Sequence, residues 1–240
     1  MLIDEIKDTL RVIKDKKLYP RIRVVDGISS EPEIIVEGKK VLLFCSGNYL
    51  GLANHPDIIN AIKKGLDKYG MHPAGSRLVS GTLDIHVELE NKIAEFKHAE
   101  DAMVFTTGTM ANIGTIPALM NLPDLSVYAI MKNIFKRNDG AIFSDELNHA
   151  TIIDGARLAY ADRIVYKHRD MKELDKKLKS NRKKRKLIVT DGVFSMDGDI
   201  APLPDIIELA KKYSAVVMVD DAHATGVLGK RGGARRNILV

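Results

Sequence analysis

The sequence predicts an α/β fold built on a mostly parallel sheet flanked by helices. Three observations lead there. Short apolar runs recur from residue 102 onward, helix-like stretches separate most of them, and the runs are largely continuous instead of alternating. Continuous apolar runs mark strands buried on both faces, which is how a parallel sheet between helices reads.

The elements follow in order. Residues 1–20 place Leu2, Ile6, Leu10 and Ile13 on one face of an amphipathic helix. Charges throughout this stretch argue against a secretory leader. Residues 54–70 predict a second helix, capped by Asn54, carrying Ile58, Ile59, Ile62 and Leu66 on one side and ending at Gly70. A third follows Thr82 as its cap, with Leu83, Val87, Leu89, Ile93 and Phe96 along the side expected to be buried. Strands are predicted at 102–106 (AMVFT), 141–144 (AIFS), 163–166 (RIVY), 187–191 (LIVTD) and 215–220 (AVVMVD). The expected division is an N-terminal helix and arm over 1–50 and a larger ligand-binding region over 51–240.

Composition narrows the function. With 45% hydrophobic and 29% charged residues in 240, the chain has the balance of a soluble globular protein with a substantial core. Its longest apolar stretch, IPALMNLPDLSVYAIMKNIF, is broken by two prolines and an aspartate, so no membrane span is expected. Cys45 is the single cysteine, which excludes an internal disulfide framework and fits a reducing cytoplasm. The net charge of +5 is concentrated in KKLKSNRKKRK, residues 176–186. No aromatic residue interleaves this run to stack bases, so a solvated helix end and turn is the expected reading over a nucleic-acid patch.

Ligands of such sheets bind beyond the carboxyl ends of the strands, so the polar residues there are the candidates. TGTMAN follows the first run and offers backbone N–H groups at a helix start, a fit for phosphate. His149 follows the second, and a lone histidine suits a structural role as well as a catalytic one. Ser195 stands in a turn after LIVTD. Asp220 ends the last run with His223 three residues on. A carboxylate there either caps the next turn or meets a cationic partner, for which a protonated pyridine nitrogen would serve.

In order along the chain stand NYLGLANHP, AGSRLVSGT, HVELE, TTGTMAN, SDELNHATIIDG, TDGVFSMDGDIAPL and VDDAHATGVLG. Together they resemble the α-oxoamine synthases, pyridoxal-phosphate enzymes of the aspartate-aminotransferase fold (fold type I). The nearest branches are 2-amino-3-ketobutyrate CoA ligase and 8-amino-7-oxononanoate synthase. The resemblance implies pyridoxal 5'-phosphate as cofactor, a small amino acid (glycine or alanine) and an acyl-CoA as substrates, and a cytoplasmic homodimer. No metal is expected.

The same resemblance assigns roles. Asp220 would keep the pyridinium protonated, making the ring an electron sink. His223 would bond the ring oxygen, and His149 would stack on the ring and help place the substrate. Ser195 would lie near the phenolic oxygen, and the N–H groups of Gly108 and Thr109 would hold the phosphate. Arg21 and Asn48 match substrate contacts.

The chain also departs from the pattern. Gly47 replaces a polar residue, His72 stands where glycine is usual, and 121–139 is longer than expected. The family's Schiff-base lysine and small carboxy-terminal domain lie beyond Val240, and Lys230 comes too soon after the aspartate to replace that lysine. The expectation is therefore a truncated, inactive product, with a dead regulatory or cofactor-binding homologue as the alternative. The tail NILV suggests a frameshift, because AAC ATT TTG GTG read two bases on spells His-Phe-Gly.

Overall fold

The structure, a computed structural model, describes residues 1–121, 139–229 and 232–233. The long connection at 121–139, Lys230 and the tail lie almost wholly outside the described residues. The chain divides into two compact units, 1–71 and 72–240.

In the first unit, helix α1 (Leu2–Asp15) precedes an antiparallel sheet of three short strands, β1 (Val25–Asp26), β2 (Glu33–Val36) and β3 (Lys39–Leu42). Helix α2 (Pro56–Tyr69) ends this unit. It starts at His55, whose ring accepts the Asp57 N–H, while the expected cap Asn54 donates instead to Ser30 and Glu31. Proline at the first helical position suits a start one residue later. The helix does end at Gly70, where φ is 73°. Neither α1 nor α2 buries a residue completely, and Leu2, Ile6 and Leu10 are exposed.

The second unit opens with α3 (Asp84–Lys97) and α4 (Gly108–Met120). The cap of α3 is Leu83, not Thr82, whose hydroxyl accepts from Arg77 instead. Of α3 only Ala94 is buried, and Val87, Leu89, Ile93 and Phe96 remain exposed. Helical spacing identifies the apolar side correctly but says nothing about what lies opposite. The AMVFT segment is not a strand either. It joins no ladder among the described residues, Met103 is exposed, and the Val104 N–H is taken by the Glu90 carboxylate. An apolar run becomes a strand only with a neighbour to pair with.

The remaining predicted strands are all present. β4 (Gly140–Asp145), β5 (Asp162–Tyr166), β6 (Arg185–Asp191) and β7 (Val216–Asp220) form a parallel sheet in the order β5-β4-β6-β7. Crossovers α5 (Ala150–Leu158), α6 (Met171–Ser180) and α7 (Leu203–Tyr213) join them. Phe143, Ile188 and Val219 face Leu174, Leu178, Leu203 and Ile206 of α6 and α7. Ile142, Leu187, Val189 and Met218 face Ile116, Met120, Ile152 and Ala156 of α4 and α5. Both sheet faces are thus covered, which is why all six residues of β4 are buried.

Three of the eight basic residues in the run 176–186 are tied into the fold. Lys177 pairs with Glu173 and donates to the Val165 carbonyl, Lys183 meets Asp162 at 3.2 Å, and Arg185 donates to the Met120 carbonyl. No helix among the described residues is long and apolar enough to cross a membrane.

Candidate functional site

The strand order reverses between β4 and β6, and that crevice at the carboxyl ends is where ligands of open α/β sheets bind. Three aspartates stand along this edge as the last residues of their strands: Asp145 on β4, Asp191 on β6 and Asp220 on β7. Asp191 and Asp220 are direct neighbours in the ladder.

Asp220 is held by a residue within TGTMAN that carries no signal of its own. Asn112, only 4% exposed, donates from its amide nitrogen to Asp220 Oδ2 at 2.8 Å and to Thr151 Oγ1 at 2.9 Å. The other Asp220 oxygen accepts the Ala222 N–H. Thr151 Oγ1 lies 2.7 Å from His149 Nδ1, which also accepts the Thr151 N–H. These bonds fix the tautomer. Asn112 donates to the threonine hydroxyl, the hydroxyl donates to Nδ1, and the proton of a neutral His149 must sit on Nε2. His149 is the cap of α5, its ring is exposed, and its backbone N–H donates to Asp191 Oδ2 at 2.8 Å. One network therefore joins His149, Thr151, Asn112 and Asp220. No spacing rule could have found Asn112, since its partners are 39 and 108 residues away.

Asn112 sits where it does because α4 and α5 approach closely. A β-carbon on Gly155 would lie 2.7 Å from the Asn112 carbonyl oxygen. Gly155→Ala should therefore force α4 outward and destabilise the chain by about 1–3 kcal/mol, although alanine is the better helix former. Denaturant unfolding measures this, and an unchanged midpoint would show that the helices have slack.

One helical turn before Asn112, α4 begins at Gly108. The Thr107 hydroxyl caps Met110, and the N–H groups of Gly108 and Thr109 belong to a first turn that has no acceptors within the helix. The space above Gly108 is open. About 6 Å separates that anion-favouring start from Asn112 along the axis. The edge thus offers positive character at one end and carboxylates at the other. Those are the needs of a molecule with a phosphate at one side and a ring N–H at the other, so the residues fit pyridoxal phosphate.

Asp191 is 4% exposed. Burial pushes its carboxyl up to about 6 against the stabilising His149 N–H, with the charges of Asp220 and Asp145 adding to the rise. A carboxylate raised by folding binds protons more tightly when folded, so its contribution to stability falls as pH rises from about 4 to about 6. Asp191→Asn should remove this slope while its carbonyl still accepts from His149. Thermal unfolding of both proteins across that range tests it, and parallel curves would refute it.

The other assigned residues are not all brought together. His223 is half-buried in the turn after β7, and Lys97 secures that turn with Nζ bonds to Asp221 (2.9 Å) and Thr225 (2.7 Å). Ser195 is exposed near the tip of the 192–201 loop. Arg21 and Asn48 belong to the first unit. Arg21 pairs with Glu37 on the surface, and Asn48 donates to the Ser30 carbonyl and accepts the Ala53 N–H. Nothing lies within 4 Å of where a side chain on Gly47 would begin, and the His72 ring accepts the Ala74 N–H, so the histidine builds its turn.

A doubly covered parallel sheet with polar strand ends defines an α/β ligand-binding domain, and residues 39–238 place it: the chain belongs to the aminotransferase class I and II family. Among curated relatives, it is 48% identical over 229 residues to the 8-amino-7-oxononanoate synthase of Alkaliphilus metalliredigens, covering 95% of this chain and 54% of that one. The Lysinibacillus sphaericus protein of the same name is also 48% identical, over 230 residues. Among solved structures, Sphingomonas wittichii serine palmitoyltransferase matches with TM-score 0.80 and 33% identity over 95% of this chain and 54% of that chain. The 8-amino-7-oxononanoate synthase of Francisella tularensis matches with TM-score 0.61 and 31% identity, over 80% and 48%. The chain spans about half the length of the curated relatives it matches. The resemblance to α-oxoamine synthases agrees with all of these.

Proposed function

We propose that this chain forms the cofactor-binding part of a pyridoxal 5'-phosphate-dependent C-acyltransferase that joins glycine or alanine to an acyl-CoA. The observation that carries the reading is the Asn112–Asp220 pair beside His149, set below the open start of α4. Bound pyridoxal phosphate supplies an electron sink for the carbanion of the amino acid. The chain's own residues do the rest. Asp220 would hold a proton on the ring nitrogen, and Asn112 aims its carboxylate. His149, with Nδ1 held by Thr151, would lie against the ring face and orient the incoming amino acid. Gly108 and Thr109 would bind the phosphate through their N–H groups, and His223 and Ser195 would contact the ring's oxygen side. Arg21 and Asn48 are proposed substrate contacts, and the assembled enzyme is proposed to be a cytoplasmic homodimer.

The test joins this chain to the carboxy-terminal half of the Alkaliphilus relative and assays cofactor uptake by absorbance and acyl transfer with both amino acids. Uptake and turnover by the joined protein, with neither by the chain alone, support the reading. Uptake by both without turnover favours a cofactor-binding homologue. No uptake by either refutes the reading.

A further inference from the structure

Beyond the site, His168 joins three loops. It follows β5, and its Nδ1 lies 2.9 Å from Asp145 Oδ1 while its Nε2 lies 2.8 Å from Asp199 Oδ2. Asp145 opens the turn that leads to His149, and Asp199 closes the loop that carries Ser195. Both carboxylates are already acceptors. Asp145 takes the N–H groups of Leu147 and Arg169, and Asp199 takes the Arg169 guanidinium at 2.9 Å. An ionised carboxylate has no proton to give, so a ring between two of them must donate from both nitrogens. A neutral imidazole would turn a lone pair toward one carboxylate. The ring of Phe194, from the Ser195 loop, stands edge-on to the imidazole with centroids 4.5 Å apart, and the Glu146 carboxylate accepts the His168 backbone N–H.

We propose that His168 is a positioning residue, an imidazolium clasp that fastens the Ser195 loop to the His149 turn and releases it on deprotonation. The groups facing it are Asp145, Asp199, Glu146 and the guanidinium of Arg169, with Asp191 beyond Asp145. Burial alone would lower the imidazole's pKa. The hydrogen bonds and charges of Asp145 and Asp199 outweigh that and raise it above the ordinary value. Asp199 is lowered in turn, chiefly by His168. A raised histidine stabilises fully below its unfolded pKa and loses this as pH rises through the folded one. The lowered aspartate loses its contribution as pH falls through its own. The clasp is therefore strongest between the two and opens on the alkaline side.

The experiment is a ring-nitrogen and backbone NMR titration of the full chain, wild type against Asp199→Asn. Expected for wild type is a His168 midpoint above 6.5, with amides of 145–149 and 192–199 moving at the same midpoint. In Asp199→Asn the new side-chain amide can turn its N–H toward Nε2 and accommodate a neutral ring, so the midpoint should fall and the loop response should follow it. Asp191→Asn should leave both in place, which separates the clasp from the Asp191 titration. A wild-type midpoint at or below 6.5, loops that ignore it, or an Asp199→Asn protein that titrates like wild type would each overturn the proposal. A second arm, measured on the joined protein, rests on the function proposed above. Pyridoxal 5'-phosphate affinity should weaken about three- to tenfold as His168 deprotonates, a loss of up to one factor of ten or ~1.4 kcal/mol. The ratio of wild type to Asp199→Asn cancels the cofactor's own titration. Equal affinities on both sides of the midpoint would overturn the positioning role. No binding by the joined protein at any pH would refute the cofactor reading, and the ring and loop titrations of the chain itself would still decide the clasp.

Discussion

Asp220→Ala in the joined enzyme is expected to lower activity by about a hundred- to several-thousand-fold, because losing one partner of a desolvated charge pair costs about 3–5 kcal/mol. Ser195→Ala should cost about tenfold or less, since Ser195 is exposed and contributes at most a single neutral hydrogen bond. Two further readouts belong to Asp220→Ala. Pyridoxal phosphate affinity should fall, and the Asp191 carboxyl, relieved of a neighbouring charge, should drop from about 6 toward the ordinary range. Near-normal activity in the mutant, or equal losses at Asp220 and Ser195, would remove Asp220 from the role proposed for it.

Lys97→Met should give the largest loss of stability among the substitutions considered, about 3 kcal/mol. Lys97 is 13% exposed at its side chain and Asp221 6%, so removing the cation leaves a buried carboxylate whose remaining side-chain partner among the described residues is Thr225. Adding Asp221→Asn should recover part of that loss, because a neutral amide is cheaper to bury than an unpaired charge. Chemical denaturation of the single and double mutants decides it. A single-mutant loss below about 0.5 kcal/mol, the range of ordinary surface substitutions, would show that the pair is solvated. The same pair anchors the turn carrying His223, so the single mutant should also weaken cofactor binding.

The sheet was legible in the sequence because its central strands, β4 and most of β6, are buried on both faces and therefore carry short runs of apolar residues. The carboxyl end of β7 was legible for the same reason: the aspartate that closes its run, Asp220, had to stand at the edge, whereas Asp145 and Asp191 carried no signal of their own. Helix existence followed from periodicity in α1, α2 and α3, but their burial did not, because a period describes one surface and burial needs two. The AMVFT segment misled for a related cause. Apolar character is a property of the segment, whereas a strand is a property of a pair.

What the sequence by itself determined is the parallel core, the positions of its strand ends and the family to which they belong. The tertiary structure alone decided how those ends are wired. Asn112 meets Asp220 across 108 residues, and His168 meets Asp199 across 31. No local signal marks either contact, since each bond is made by the close packing of α4 on α5 or by the convergence of three loops at one sheet edge. The hydrogen-bonding roles follow from that wiring. The imidazole of His149 accepts the Thr151 N–H, while that of His168 lies between two carboxylates that raise its pKa, and the residue type is the same in both places.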